Sequence, residues 1–291
     1  MDTSVYAQLK KLQIVSRKIS KSSLIGDYAS AFKGVGIEFD QLRAYVPGDD
    51  VRSIDWKATA RTDETMVKTF VQERDRTIIV ALDSSSSMFY SSSSQLKYEV
   101  ASLIAGALGS IALNSHDRFG AILFSSNVDV WIPPARGQGQ FSRVIDEISR
   151  VSADKTRGTS FENLVSFLMK QKNKKNVFLF VISDFLDEKL PQLAGVSSLV
   201  KSYDLTAFSV FDPCEASFPE LGIICMQDVE TGKMLEIDTR GAAARKNAQI
   251  SLKRKIDFFR KKGIDYHSFD VTVPVLSELS RFFKERTRRQ V

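Results

Sequence analysis

Three features of this 291-residue chain predict an α/β fold built on a doubly wound, mostly parallel sheet with one antiparallel edge strand. From Thr77 onward, short apolar runs alternate with longer helical stretches, the rhythm of βαβ units. Several runs, Ile78–Leu82 and Val177–Ile182 among them, are apolar without interruption, as strands are when helices cover both sheet faces. Asp83 directly follows the first of these runs and Asp184 follows the second after one serine. Ligands of doubly wound sheets bind just beyond such carboxyl ends.

Taken in order, residues 5–20 read as a helix with Leu9, Leu12, Ile14 and Val15 among lysines. A Gly- and Tyr-punctuated stretch follows, through Gly26-Asp27-Tyr28, Lys33 to Phe39 and Leu42 to Asp50, and fits short strands and turns. Ile54 to Arg61 comes next, and Met66 to Val71 fits another strand. Residues 1–75 are therefore expected to form a small N-terminal module, and residues 76–291 the sheet domain. In the latter, strands are expected at Ile78–Leu82, Phe119–Phe124, Val128–Ile132, Val177–Ile182, Leu205–Phe211 and Ile264–Phe269. Helices are expected near 96–114, 141–151, 161–171, 188–203, 242–262 and 275–287. Only the second and third strands are linked tightly enough for a hairpin, which makes the third the antiparallel edge. Two apolar runs around Glu230-Thr231-Gly232-Lys233 predict an inserted hairpin near 222–238.

Bulk properties exclude several classes. The apolar stretch from Val100 to Leu113 is too short to span a bilayer and reads as a buried helix. The first residues, Met1-Asp2-Thr3-Ser4-Val5-Tyr6, lack the pattern of a secretory signal, so a soluble, cytoplasmic protein is expected. Two cysteines, Cys214 and Cys225, make neither a disulfide framework nor a zinc site. The net charge of +6 comes with Lys/Arg clusters at 10–11, 17–18, 172–175, 253–255, 260–262 and 286–289. Several lie beside acids on expected helices and read as solvated faces; a basic nucleic-acid-binding surface is the rival reading, without a recognised motif behind it.

The densest chemistry is Asp83-Ser84-Ser85-Ser86-Ser87-Met88. Alternate positions of extended backbone share a side, so Asp83, Ser85 and Ser87 are expected to converge on one point. A carboxylate with two hydroxyls suits a hard, oxygen-seeking cation, above all Mg²⁺, with Mn²⁺ and Ca²⁺ as alternatives. The remaining ligands are sought at neighbouring strand ends. Thr159 precedes an expected helix, where capping is its other reading; Asp184 faces Asp83 if the first and fourth strands of the sheet are neighbours. Asp187 reads as a helix cap.

The pattern Asp-x-Ser-x-Ser-Met, a later Gly158-Thr159-Ser160 and the strand-ending Ser183-Asp184 resemble the metal-ion-dependent adhesion site of von Willebrand factor A domains. That resemblance implies a metal site of Asp83, Ser85, Ser87, Thr159 and Asp184. There two serines and a threonine coordinate Mg²⁺, an aspartate binds through water, and a partner protein donates an Asp or Glu carboxylate. Ser86 stands where that family usually has glycine. Lys33-Gly34-Val35-Gly36-Ile37-Glu38-Phe39, Arg43 to Arg52, Ile54-Asp55-Trp56 and Thr59-Ala60-Arg61 resemble the bacterial family called domain of unknown function 58. This second resemblance implies partnership with a MoxR-type AAA+ ATPase in maturing or remodelling other proteins.

Catalysis is not expected. His116 and His267, the two histidines, lie outside the three metal motifs, and Gly34-Val35-Gly36 completes neither a Walker loop nor a dinucleotide fingerprint. The enzymatic rival is a Mg²⁺-dependent phosphoryl-transfer enzyme with Asp83 as nucleophile. Arg43, Asp49, Asp50, Arg52, Asp55 and Arg61 are read as a buried salt-bridge network, with turn chemistry at Pro47-Gly48-Asp49 accounting for part of it. Trp56 and Trp131 are read as core.

Overall fold

A computed structural model describes residues 23–32, 37–62, 64–72, 76–152, 158–171, 176–186, 193, 195–216, 222–227, 234–238 and 253–290. The expected helix at 5–20, Asp187 and the starts of the expected helices at 188–203 and 242–262 lie outside the described residues. Two compact units are present: Phe32–Asp75 forms one, and the described residues before and after it form the other. The helix Leu24–Ala31 thus belongs with the sheet rather than with the strands that follow it.

The larger unit is organised by a six-stranded sheet. Its strands are β3 (Thr77–Asp83), β4 (Arg118–Phe124), β5 (Val128–Ala135), β6 (Val177–Ser183), β7 (Asp204–Phe211) and β10 (Asp265–Asp270), in the order β10-β7-β6-β3-β4-β5. β5 pairs antiparallel with β4, and the other neighbours are parallel. This is the doubly wound arrangement the alternating pattern predicts. The order reverses between β3 and β6, so the first and fourth strands of the sheet are neighbours, with Leu82 opposite Ile182. A separate hairpin pairs β8 (Ile223–Gln227) with β9 (Met234–Asp238).

Helices cover both faces, which explains the unbroken apolar strands. On one face Ile79, Ala81, Leu179 and Val181 pack with residues of helix Phe161–Lys170, helix Val196–Ser202 and a helix at 253–261. The other face meets helix Lys97–Asn114, flanked by helices Gln138–Arg150, Leu24–Ala31 and Val275–Gln290. Helix Lys97–Asn114 is buried nearly throughout, as its apolar run implies.

The Gly26-Asp27-Tyr28 stretch corrects the expectation of strands and turns: it is helical. Leu24, Tyr28 and Ala31 fall on one buried face; the Tyr28 ring meets Phe283 edge-on and its hydroxyl donates to Asp117 at 3.2 Å. Tertiary packing overrides the turn signal of Gly26.

Gly109 shows how closely this layer packs. A Cβ there would lie 2.6 Å from the Phe119 ring and 3.0 Å from Phe141. Overpacking costs about 1–3 kcal/mol, and the helical gain of Ala over Gly is about 1 kcal/mol. Gly109→Ala is therefore expected to lose about 1 kcal/mol net, seen as a lower urea midpoint with unchanged slope.

His267 on β10 meets Glu278 at 3.0 Å, yet burial outweighs that carboxylate and holds the imidazole pKa below its ordinary value. Folding thus favours neutral His267, and this contribution is lost as pH falls below the unfolded value of about 6.5. His267→Phe is expected to lose less melting temperature between pH 7.5 and 5.5 than the wild type. An equal loss in both chains would remove His267 from the acid response.

In the smaller unit, β1 (Ile37–Ala44) and β2 (Met66–Gln72) form an antiparallel ladder. Gly48 adopts a φ of 110°, which suits glycine, in the turn closed by Asp49 N–H to Val46 O. The Asp49 carboxylate accepts from Arg43 at 2.7 Å and from Val46 N–H. Asp50 caps the turn Val51–Ser53, and Asp55 caps helix Trp56–Thr62 through Lys57 N–H and Ala58 N–H. These charges are not the expected buried network. They serve turns and caps at a solvated surface, where Arg43 is 40% exposed and Arg52 and Arg61 are exposed. Trp56 is likewise not core: as the first residue of that helix it is 67% exposed. Trp131 does pack against the sheet core, edge-on to Phe167.

Candidate metal centre

The carboxyl ends of β3 and β6 bring the expected site residues to the reversal point of the sheet. Asp83, the last residue of β3, is fully buried. Its Oδ1 accepts the Ser85 N–H at 2.9 Å and its Oδ2 accepts the Ser183 hydroxyl at 2.6 Å. Burial and the nearby Asp184 carboxylate raise the Asp83 pKa to about 7, against those hydrogen bonds. Burial thus disfavours the charged form of Asp83, which a nearby cation would favour.

Ser85 and Ser87 converge as expected, with their hydroxyl oxygens 3.1 Å apart. The route differs from the expected extended run: Ser86–Phe89 is a 3₁₀ turn that starts at Ser85. The tight turn occurs with Ser86 in place of glycine.

Asp184 directly follows β6. Its Oδ2 accepts from Lys97 Nζ at 2.8 Å, and its Oδ1 accepts Leu186 N–H at 3.3 Å. Phe185 holds a positive φ of 51°, with its ring buried and stacked on Phe161. That backbone conformation costs about 1–3 kcal/mol in a non-glycine residue, so packing of the ring fixes the turn that presents Asp184.

Thr159 lies half-buried in the loop before helix Phe161–Lys170. The cap of that helix is Ser160, whose Oγ accepts Asn163 N–H at 3.3 Å, so Thr159 is not the cap. Ser160 N–H donates to Ser125 O just past β4, the neighbour of β3, which ties this loop to the same end of the sheet. Hydrogen bonds thus join Asp83, Ser85 and Ser87 into one constellation, with Asp184 beside it; Thr159 comes to the same sheet end on its own loop.

Sequence reasoning did not find Lys97, Glu215 or Asp212. Lys97, only 1% exposed, bridges Asp184 and Glu215, the latter at 2.6 Å. Burial would lower the Lys97 pKa, but the two carboxylates raise it, so it is an ammonium ion. Lys255 Nζ donates to the Asp184 carbonyl at 2.8 Å. Asp212, just past β7, accepts from Ser91 and Ser92 hydroxyls and from Ser92 and Cys214 N–H. Although burial opposes it, these bonds hold the Asp212 carboxyl at about 2 and pin the serine-rich loop above the site. The single signal for Lys97 is a lysine opening a largely apolar helix, which surface snorkelling explains equally well.

Beneath Phe185, a cavity of about 40 Å³ is lined by Phe161, Val181, Phe258, Phe259 and other apolar side chains. It offers a substrate no polar group. Among the described residues, no helix is long and apolar enough to cross a membrane.

The profile described as "Protein of unknown function DUF58" matches residues 41–256, and the chain belongs to that family. Uncharacterized proteins of Mycobacterium tuberculosis strain H37Rv and of Mycobacterium bovis are each 23% identical over 291 residues, covering 99% of this chain and 91% of theirs. Among solved structures, the chain is similar to the conserved hypothetical protein BatB from Bacteroides thetaiotaomicron, with 15% identity, a TM-score of 0.48, and coverage of 73% of this chain and 99% of that one. It is also similar to the SpRpn10 VWA domain, with 12% identity, a TM-score of 0.42, and coverage of 70% and 93%.

Proposed function

We propose that this DUF58 chain is a non-catalytic, metal-dependent protein-binding module, an adaptor that recruits a partner through an acidic side chain. The observation that carries this reading is the donor set around buried Asp83. Adjacent corners of an octahedron with metal–oxygen bonds of about 2.0–2.1 Å lie roughly 2.9 Å apart. The Ser85 and Ser87 hydroxyl oxygens, 3.1 Å apart, are close enough to occupy neighbouring corners of one ion's shell.

Asp83, Ser85, Ser87 and Thr159 would hold the ion, with Asp184 in its outer shell. When bound, it supplies an electrophilic centre for an incoming carboxylate. Asp83 orients through Ser183 and Ser85 N–H, while Lys97 already neutralises Asp184. The protein ligands therefore leave much of the ion's charge for a partner, and the partly buried setting strengthens that attraction over its value in water.

Phosphoryl transfer by Asp83 fits less well. Its two oxygens are engaged, its side chain is buried, and Lys97 is committed to two carboxylates rather than aimed at a phosphate. A MoxR-type AAA+ ATPase, implied by the DUF58 resemblance, is the first partner to test, in a cytoplasmic setting. Immobilised wild-type chain is expected to retain the ATPase in Mg²⁺ and release it in EDTA, and Asp83→Ala is expected to retain none. Equal retention in all three samples would reject metal-dependent recruitment.

A further inference from the structure

Lys97 is a buried cation placed where a metal's own ligand should be free. Its ammonium lies 2.8 Å from Asp184 Oδ2 and 2.6 Å from Glu215 Oε1. Asp184 is 3% exposed, whereas Glu215 keeps about a quarter of its side-chain surface in water on the short helix Pro213–Ala216. The opposite side of Asp184 is occupied as well, by Leu186 N–H at Oδ1 and by Lys255 at the carbonyl. A carboxylate held this way is oriented, charge-compensated and disinclined to give an oxygen to a second cation.

We propose that Lys97 is a built-in competitor for Asp184: it keeps that carboxylate out of direct metal coordination, lowers resident metal affinity and preserves an exchangeable coordination position for the partner's acid. This rests on the metal reading above and extends it to how strongly the site holds its ion. Glu215 sets the strength of the competition, because it shares the ammonium with Asp184. Without Glu215, Lys97 falls wholly to Asp184; without Lys97, Asp184 is free to ligate.

The test uses Mn²⁺ alone, with isothermal titration for affinity and water-proton relaxation for the number of waters left on the bound ion. Four chains are compared with wild type: Lys97→Met, Asp184→Asn, the double variant and Glu215→Gln. Lys97→Met is expected to bind Mn²⁺ at least tenfold tighter and to retain fewer fast-exchanging waters. In the double variant both changes are expected to vanish, which a remote loss of positive charge would not produce. Glu215→Gln is expected to bind several-fold more weakly than wild type with waters unchanged, and it decides the matter if Lys97→Met does not fold.

Lys97→Met binding no tighter than wild type, a gain that survives Asp184→Asn, or Glu215→Gln binding as tightly as wild type would each overturn the competition. Asp83→Ala, measured alongside, separates the two levels. Binding by wild type that is lost in Asp83→Ala upholds the metal site whatever Lys97 does. No binding by wild type overturns both.

Discussion

Asp83→Ala is expected to remove the whole of the stabilisation that Mg²⁺ is proposed to give the wild-type chain. A ligand bound only by the folded state stabilises by RT ln(1 + [L]/Kd), about 2.7 kcal/mol at a hundred times Kd. For a unit of this size each kcal/mol moves the melting temperature by roughly 2–4 °C, so wild type is expected to melt about 5–10 °C higher in saturating Mg²⁺ than in EDTA. The Asp83 carboxylate is the hub of the donor set, holding Ser183 on one oxygen and Ser85 N–H on the other. Deleting it removes a charge that no neighbouring hydroxyl replaces. Asp83→Asn makes the sharper control: it keeps the shape and removes the buried charge, so its melting temperature in EDTA is expected to match or exceed that of wild type, with no response to Mg²⁺. A full Mg²⁺ shift in either variant would disconnect Asp83 from the metal.

The parts of this site that were legible in the sequence are those where one residue type at one strand end has a single economical explanation. Ile78–Leu82 and Val177–Ile182 are apolar because both faces are covered, and that burial fixes where each strand stops and puts Asp83 and Asp184 on the rim. The convergence of Ser85 and Ser87 was legible although their backbone was not: a 3₁₀ turn brings the two hydroxyls together as effectively as an extended run. Lys97, Glu215 and Asp212 were hidden because each acts through a partner far along the chain; Lys97 meets Asp184 87 positions away and Asp212 meets Ser92 across 120. Pairing at that range has no local signature. Trp56 failed for a different reason: an aromatic residue is usually buried, but a helix of seven residues has too short a period to say which face meets a core, and this tryptophan is 67% exposed.

Arg286→Met is expected to cost the sheet unit about 3 kcal/mol, toward the lower end of what removing one partner of a buried ion pair does. The Arg286 guanidinium, near the end of the last helix, is 6% exposed. It donates to Asp204 at the start of β7 at 2.5 Å, to Asp265 at the start of β10 at 2.6 Å, to Thr206 Oγ1, and to the carbonyl of Ala31 at 3.2 Å. One side chain thus ties the C-terminal helix to two adjacent strands and to the end of helix Leu24–Ala31. Asp204 and Asp265 keep 37% and 29% of their side-chain surface, so water takes back part of the loss when the arginine goes. The Ala31 carbonyl and Thr206 lie deeper. Methionine fills much of the volume without a donor, which isolates the polar contribution from cavity formation. At roughly 2–4 °C per kcal/mol, the melting temperature should fall by about 6–12 °C. Arg286→Lys should recover only part of it, because an ammonium lacks the planar fork that reaches two carboxylates at once. Arg286 acts at the starts of β7 and β10, whereas Asp83 and Asp184 lie at the carboxyl ends of β3 and β6, so the Mg²⁺-induced shift of Arg286→Met should equal that of wild type. A variant that melts early and responds fully to the ion would show that the fold's anchoring and its metal chemistry sit at opposite ends of the same sheet, and can be varied independently.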